Sequence, residues 1–212
     1  DAFASYRNGN VYIGNIKYLN SIKNSIGDND IRECYKCEEG KFANIYKEEC
    51  VNADECEAGS IADYNVRQCI KCEEEKYASL DKTQCVEAAK CGTGNIANPN
   101  GNCEKCEEGE YANLEKTECL EDSTECGAGM IGDYELRQCI KCEEGKYANL
   151  LKTECVEASR CGAGNIGNSN GDCEKCKEGY FASLNKTKCL EGAEECGTGS
   201  IGDDDLRECI KC

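Results

Sequence analysis

The chain has 212 residues and a net charge of −17, and 22 of its residues are cysteines. So much cysteine is typical of disulfide scaffolds in oxidising compartments and predicts an extracellular or cell-surface protein. With no His or Trp, three Phe and one Met, the chain excludes a single large hydrophobic core. Its acidity argues against nucleic acid and anionic lipid as partners. No stretch approaches the ~20 apolar residues of a membrane span, so we expect no direct membrane insertion.

The first 33 residues contain no cysteine. Within 1–20, the β-branched and aromatic residues of 8–20 predict a strand-like segment. Residues 21–33 form a half-repeat, because residues 25–34 match residues 200–209 of the last repeat. In this alignment Ser21 takes the place of Cys196, so the half-repeat lacks its first cysteine. The chain opens with Asp1 and shows no signal peptide, which suggests a processed or partial chain.

From residue 34 to 212 the chain is a tandem array. Successive CxxC pairs begin 34 to 36 residues apart, at Cys34, Cys69, Cys103, Cys139, Cys173 and Cys209. A stronger period of 70 residues lies beneath them, because 69–138 and 139–208 align without a gap and share about two-thirds of their residues. Such a pattern is typical of repeat proteins whose units are individually too small to bury a core.

Apolar residues recur at three positions in each repeat, without a helical stripe. These positions hold an aromatic, then a Leu or Ile, then an Ile. The aromatics are Phe42, Tyr77, Tyr111, Tyr147 and Phe181; the second set is Ile45, Leu80, Leu114, Leu150 and Leu184; the third is Ile61, Ile96, Ile131, Ile166 and Ile201. With Gly and Asn turn signals between them, they predict a small, disulfide-rich, mainly β fold. We expect an elongated rod of short two-stranded fingers with little helix.

The cysteines could hold zinc, perform redox chemistry or form disulfides. Zinc ribbons bring two CxxC pairs about 15–20 residues apart, and redox dithiols need a βαβ context. Neither pattern is present, so we predict disulfides, with no metal and no cofactor.

Three disulfide registers are compatible with a repeat of four cysteines called a, b, c and d, where a and b form the CxxC. In the first register, b bonds c, and d bonds the a of the next repeat (b–c with d–next a). In the second, a bonds c and b bonds d. In the third, c and d bond the a and the b of the next repeat. The b–c separation is always 13 and the d–next-a separation is 12 or 13. The first register is favoured because its rings vary little in length and the variable five- or six-residue stretch falls between them. Its pairs are Cys37–Cys50, Cys56–Cys69, Cys72–Cys85, Cys91–Cys103, Cys106–Cys119, Cys126–Cys139, Cys142–Cys155, Cys161–Cys173, Cys176–Cys189 and Cys196–Cys209. Cys34 and Cys212 remain unpaired, or join successive molecules head to tail.

The stretches "CEEGKYANLLKTEC" (142–155) and "CGAGNIGNSNGDCEKC" (161–176) resemble the furin-like cysteine-rich modules of growth-factor receptors. The long CxxC tandem with Asn-, Lys-, Glu- and Ile-rich filler is also similar to protist surface antigens, such as the immobilisation antigens of ciliates. The resemblance covers 21–212 and implies an extracellular location with coat or binding roles and no catalytic residues. Pro99 is the single proline, whereas such modules usually contain more.

Other candidate sites have simpler interpretations. Acidic turns at 27–30, 62–65, 132–135 and 202–205 could bind Ca²⁺ but are more typical of solvated turns. The arginines beside them should neutralise these acids; they are Arg32, Arg67, Arg137 and Arg207. The recurring Tyr and Lys, as in Tyr77 and Lys82, could stack on sugars, but packing against a disulfide is the better interpretation. Asn185 lies in the one N-x-[ST] motif and is a candidate glycosylation site.

The sequence therefore predicts a non-enzymatic, structural glycoprotein of the cell surface, a subunit of a coat, stalk or fibre from a protist. Its partners would be further copies of itself, associating head to tail or laterally, or other surface proteins and glycans. The alternative is a receptor- or adhesin-like module that presents a binding surface. A calcium-dependent polymer is a third hypothesis.

Overall fold

The computed structural model describes residues 4–7, 10–13, 25–28 and 33–212, with side chains described for Ile26 and for 36–212. These parts contain short strands, single-turn 3-10 helices and ten disulfides, and no α-helix. The predicted disulfide-rich, mainly β fold is confirmed. Contacts divide the chain into two compact units, Asp1–Lys105 and Cys106–Cys212.

The strands of the described residues are two to four residues long and pair in small sheets. They span Ala4–Arg7, Asn10–Ile13, Ser25–Asp28, Glu33–Lys36, Phe42–Ala43, Cys50–Val51, Ser60–Asp63, Gln68–Lys71, Tyr77–Ala78, Cys85–Val86, Asn95–Ala97, Cys103–Lys105, Tyr111–Ala112, Cys119–Leu120, Met130–Asp133, Gln138–Lys141, Lys146–Ala148, Cys155–Glu157, Asn165–Gly167, Cys173–Lys175, Tyr180–Ala182, Cys189–Glu191, Ser200–Asp203 and Glu208–Lys211. The 3-10 helices span Ala53–Glu55, Ala88–Lys90, Ser123–Glu125, Ala158–Arg160 and Ala193–Cys196.

One kind of disulfide loop, which we call the lysine finger, runs from the second Cys of a CxxC to the next single Cys. The five lysine fingers are 37–50, 72–85, 106–119, 142–155 and 176–189. Each has a turn held by an Asn or Ser side chain, as where Asn149 Oδ1 accepts from the amide of Thr153 at 2.9 Å. Each also places a Lys in the left-handed backbone region, for example Lys152 with φ 50°.

The second kind, the hairpin finger, begins at the fourth Cys of a repeat and ends at the first Cys of the following CxxC. The five closed examples are 56–69, 91–103, 126–139, 161–173 and 196–209. A 3-10 turn ends at or just before the opening cysteine, and an antiparallel hairpin follows it. The hairpin register pairs a small residue with the closing cysteine, as in Gly132 with Cys139. The half-repeat has the same register, because Gly27 pairs with Cys34.

Each lysine finger is joined to the hairpin finger that follows it by a short parallel contact. The link is an alanine with no exposed surface, as at Ala112, which pairs in parallel with Gln138 and donates its amide to the Arg137 carbonyl at 3.0 Å. The other alanines at this position are Ala43, Ala78, Ala148 and Ala182, all fully buried. Because a larger side chain has no room there, the alanine fixes how closely two fingers approach.

The buried apolar groups form small clusters, most of them around the disulfide of a hairpin finger. Tyr77 packs against Cys91–Cys103, and Tyr147 against Cys161–Cys173, with Phe42 and Phe181 in corresponding places. The recurring Leu does not contribute to these clusters. Leu80, Leu114, Leu150 and Leu184 are 44–55% exposed, because the lysine-finger turn points them to solvent.

Replacing Ala148 with Val should lower the free energy of unfolding by about 1–3 kcal/mol, because added methyl groups overpack a fully buried site. Valine favours strands, so backbone propensity does not explain such a loss. The control is Ala163→Val at an exposed position, which should leave stability unchanged. Urea unfolding with disulfides intact measures both, and equal stabilities would contradict this role for the alanine.

Candidate functional site: the junctions between fingers

The structure forms ten disulfides, and they join the ten pairs of the favoured register, in which b bonds c and d bonds the a of the next repeat. Their Cα–Cα distances are 5.3–5.6 Å, and none of the described cysteines adopts an interleaved pairing. Cys212 is free and exposed. The side chain of Cys34 and all of Ser21 lie outside the described residues, so head-to-tail linkage stays a prediction.

One group of possible metal ligands in the described part of the chain combines Cys106, Glu110 and Cys119. The two sulfurs are bonded to each other, so they are not available as thiolate ligands. This group is therefore a disulfide, and the absence of a bound metal stays a prediction.

The residues that connect successive hairpin fingers are lysines at the tips of the lysine fingers. Lys152 Nζ donates to the carbonyls of Cys126 at 2.9 Å and Gly127 at 2.8 Å in one hairpin finger. It also lies 3.2 Å from Asp172 Oδ1 in the next hairpin finger. The amide of Gly129 donates to the same Asp172 oxygen at 3.0 Å. One ammonium therefore holds two hairpin fingers against each other.

The same junction occurs at least twice more. Lys82 Nζ donates to Cys56 O at 2.9 Å, Glu57 O at 3.2 Å and Asn102 Oδ1 at 3.1 Å, and Gly59 N donates to that Asn102 oxygen at 3.0 Å. Around Lys186, the ammonium bonds Gly162 O at 2.9 Å and pairs with Glu208, which also accepts from Gly164 N. We call these three sites the lysine junctions.

Partial burial is the main electrostatic feature of these lysines. Desolvation lowers the pKa of Lys82, and the nearby Glu57 carboxylate opposes this effect. Burial likewise lowers the pKa of Lys116, whose ammonium bonds Gln138. Removing an ammonium from water is costly unless its hydrogen bonds are replaced. At Lys152 and Lys186, whose side chains are only 17% and 13% exposed, carbonyl and carboxylate oxygens replace them.

Glycines allow the backbones of successive hairpin fingers to touch. A Cβ built on Gly101 would lie 2.9 Å from Gly59 Cα, and one on Gly171 would lie 2.9 Å from Gly129 Cα. Sequence reasoning missed these glycines, and it noted the recurring lysines beside the tyrosines but not their role in the junctions. A signal was present, since a Gly recurs three residues after each fourth Cys and a Lys ten residues after each second Cys.

The interpretation of the arginines as neutralising partners for the acidic turns is wrong for the three described ones. Arg67, Arg137 and Arg207 donate instead to backbone carbonyls at the start of the preceding lysine finger. Arg207 Nη2, for example, lies 2.6 Å from Cys176 O. The guanidinium suits this position because its donors can bond two adjacent carbonyls together. Arg32 lies outside the described residues.

The aspartates of the acidic turns bond to their own backbone. Asp133 Oδ1 accepts from Leu136 N at 2.8 Å, and Asp203 Oδ1 accepts from Leu206 N at 2.9 Å. Asp63 Oδ1 accepts from Asn65 N at 2.8 Å. These are turn-stabilising contacts, and Ca²⁺ binding stays a prediction. The side chains of the turn at 27–30 lie outside the described part.

The recurring tyrosines are used in packing. Tyr77 and Tyr147 pack on disulfides, as the preferred interpretation predicted, and the lysines beside them point into the junctions. Asn185 is exposed on a turn, where its Oδ1 accepts from Ser183 Oγ at 2.8 Å and Thr187 Oγ1 at 2.9 Å. Its glycosylation stays a prediction.

Comparison with known proteins shows which family the chain belongs to. It matches the family model of the cell surface immobilisation antigen SerH over residues 5–212. The chain belongs to the SerH family. The resemblance to ciliate immobilisation antigens is thereby confirmed, and the SerH family is one of surface antigens, not of enzymes. No curated protein matches this SerH-family chain.

The described residues contain no helix with the length and apolarity required to cross a membrane. The SerH family assignment and the ten disulfides agree with the predicted oxidising, cell-surface setting.

The disulfide register of this SerH-family chain is directly testable, because every CxxC carries an exposed Lys immediately before its second Cys. Trypsin cleavage after Lys141 separates Cys139 from Cys142. Mass spectrometry without reduction should then find Cys142 linked to Cys155. A Cys139–Cys155 link would contradict the register. The same digest after reduction is the control and should release every linked peptide.

The lysine junction predicts a second result. Lys152→Met keeps the length of the side chain but removes the ammonium hydrogen bonds to the Cys126 and Gly127 carbonyls and the ion pair with Asp172, so the free energy of unfolding should fall by about 2 kcal/mol. The matched control is Lys146→Met, which removes an exposed ion pair with Glu143 at 3.0 Å and should change stability by less than about 0.5 kcal/mol. Urea denaturation of the oxidised chains measures both. Equal effects would show that the junction adds no more than a surface ion pair.

Proposed function

We propose that this chain is a structural component of a ciliate cell-surface coat, forming the stalk or fibre that separates the cell from its surroundings. The observation that carries the proposal is the lysine junction, in which one ammonium bonds two successive hairpin fingers. Disulfides make each finger rigid, but only contacts between fingers can pass that rigidity along the chain. Contacts restricted to neighbouring repeats are typical of solenoid proteins.

The rod expected from the sequence is part of this proposal. A chain whose repeats contact only their neighbours extends as repeats are added, and closed small rings resist the proteases and shear of an extracellular setting. The acidic surface supports the same role, because a charge of −17 opposes unspecific association. Association then depends on specific contacts, with further copies of the chain or with other surface proteins and glycans.

A second candidate function, a receptor- or adhesin-like module, is favoured by one observation. Tyr64 and Tyr134 occupy equivalent turns 70 residues apart and are 63% and 75% exposed. Exposed tyrosines are common in binding surfaces, because the ring offers a large apolar area with a polar group at its end. Two such turns could present a repeated contact to one ligand.

The two candidate functions predict different material in the electron microscope. The coat proposal expects elongated particles that associate into periodic filaments or sheets, and a non-reducing gel that shows a ladder if Cys212 links successive molecules. Cys212→Ser is the control, because it should remove the ladder without changing the particle. Isolated particles, with a single monomer band for both proteins, would contradict assembly and favour the binding module.

A further inference from the structure

The hairpin fingers fall into two groups by the residue that lies two positions before the closing cysteine. Three described fingers have an arginine there, namely Arg67, Arg137 and Arg207, and the other two have Gly101 and Gly171. All five residues adopt a left-handed backbone, with φ between 52° and 87°, and all five carbonyls accept from the buried alanine of the preceding lysine finger. This backbone position is therefore the same in all five, and the glycine fingers, whose rings are one residue shorter, lack the arginine side chain.

In the arginine fingers, the guanidinium lies on the opening turn of the lysine finger. Arg137 donates to the carbonyls of Cys106 and Glu107, and Arg207 donates to those of Cys176 and Lys177. Arg67 makes a similar pair of contacts, one of them to Lys41 O at 3.3 Å. The carbonyl oxygens of this turn thus form a guanidinium site that the chain fills with its own residue.

In the glycine fingers the same place is an open groove. The groove beside Gly101 has a volume of about 500 Å³ and is lined by the turn Cys72–Tyr77 and by Gly59. The groove beside Gly171 has a volume of about 380 Å³ and is lined by Cys142–Tyr147 and Gly129. Among the described hydrogen bonds, the Cys72 and Cys142 carbonyls have no donor, and Glu73 O and Glu143 O each accept one amide, which leaves a second lone pair.

Net charge does not decide what these grooves bind. The first is lined by three glutamates and two lysines, and the second by two of each. Lys76 and Lys146 are held by Glu87 at 3.3 Å and Glu143 at 3.0 Å. The distinguishing feature is the set of carbonyl oxygens, which requires a planar donor with several N–H groups.

We propose that each open groove binds the guanidinium of an arginine side chain presented by a partner protein. The incoming arginine repeats the contacts that Arg137 and Arg207 make within the chain. The 70-residue repeat places one such groove in each copy. The inference does not depend on the coat function, since a coat subunit and a receptor could both use it.

In the test, the peptide Gly-Arg-Gly is added to the ¹⁵N-labelled, oxidised full chain, and the backbone amide signals of the chain are followed by NMR spectroscopy. Shifts are expected at 72–77 and 142–147, and not at the filled turn of Cys106 and Glu107. The same peptide with lysine or citrulline should bind about tenfold more weakly, because it lacks either the planar donor set or the charge. Equal affinity for the three peptides would overturn the proposal. So would binding that disappears in high salt, which indicates unspecific attraction to an acidic chain.

Two variants locate the site. Replacing 97–101 with the turn ADYNVR of 62–67 supplies the missing arginine and should abolish the shifts at 72–77 while leaving those at 142–147. Its control is the same graft ending in Gly, which should retain them. Arg137→Gly, at a left-handed position that glycine tolerates, should create a third responsive turn at Cys106 and Glu107. If the arginine graft still binds at 72–77, or Arg137→Gly adds no new site, the groove is not a guanidinium site.

Discussion

Closure of small rings by disulfides is the constraint on which the rest of this structure depends. Each ring spans 12 or 13 residues and contributes roughly 3 kcal/mol by restricting the unfolded chain. The chain needs this contribution, because its buried apolar groups are two phenylalanines, a few alanines, valines and isoleucines, and the half-cystines themselves. Disulfides therefore stabilise each finger where larger domains would rely on apolar burial. A reduced chain would lack both the cross-links and the surfaces on which Phe42 and Phe181 pack.

Disulfides act within fingers, so a second interaction must act between them. The lysine junction does so with hydrogen bonds from one ammonium to several oxygens, as around Lys152. This arrangement tolerates variation in the acceptor, which is Asn102, Asp172 or Glu208 in the three junctions. A long side chain can adjust to these different acceptors, whereas the covalent rings keep nearly the same length. The two interactions thus divide the fold into rigid fingers and adaptable junctions.

The sequence predicted what is local and repetitive. The constant separation between the second and third cysteines of each repeat identified the rings, and the recurring aromatic residues identified the packing on disulfides. It did not predict contacts whose partners lie more than 20 residues away, such as Lys82 with Cys56 or Arg137 with Glu107. Those depend on how fingers turn against each other, which side-chain spacing does not encode. Its regular spacing also did not show whether Leu150 is buried, because an apolar residue at a regular position on a tight turn can be exposed.

The alternation of arginine and glycine gives the 70-residue period a physical meaning. If stability alone decided the residue, an arginine in every hairpin finger would satisfy the carbonyls of every opening turn. Gly101 and Gly171 leave those carbonyls open and instead let the backbone approach Gly59 and Gly129 closely. One left-handed position therefore carries either an arginine that fills the guanidinium site or a glycine that leaves it open. Each 70-residue unit contains one hairpin finger with an arginine and one with a glycine at this position, so its two halves share a fold and present different surfaces.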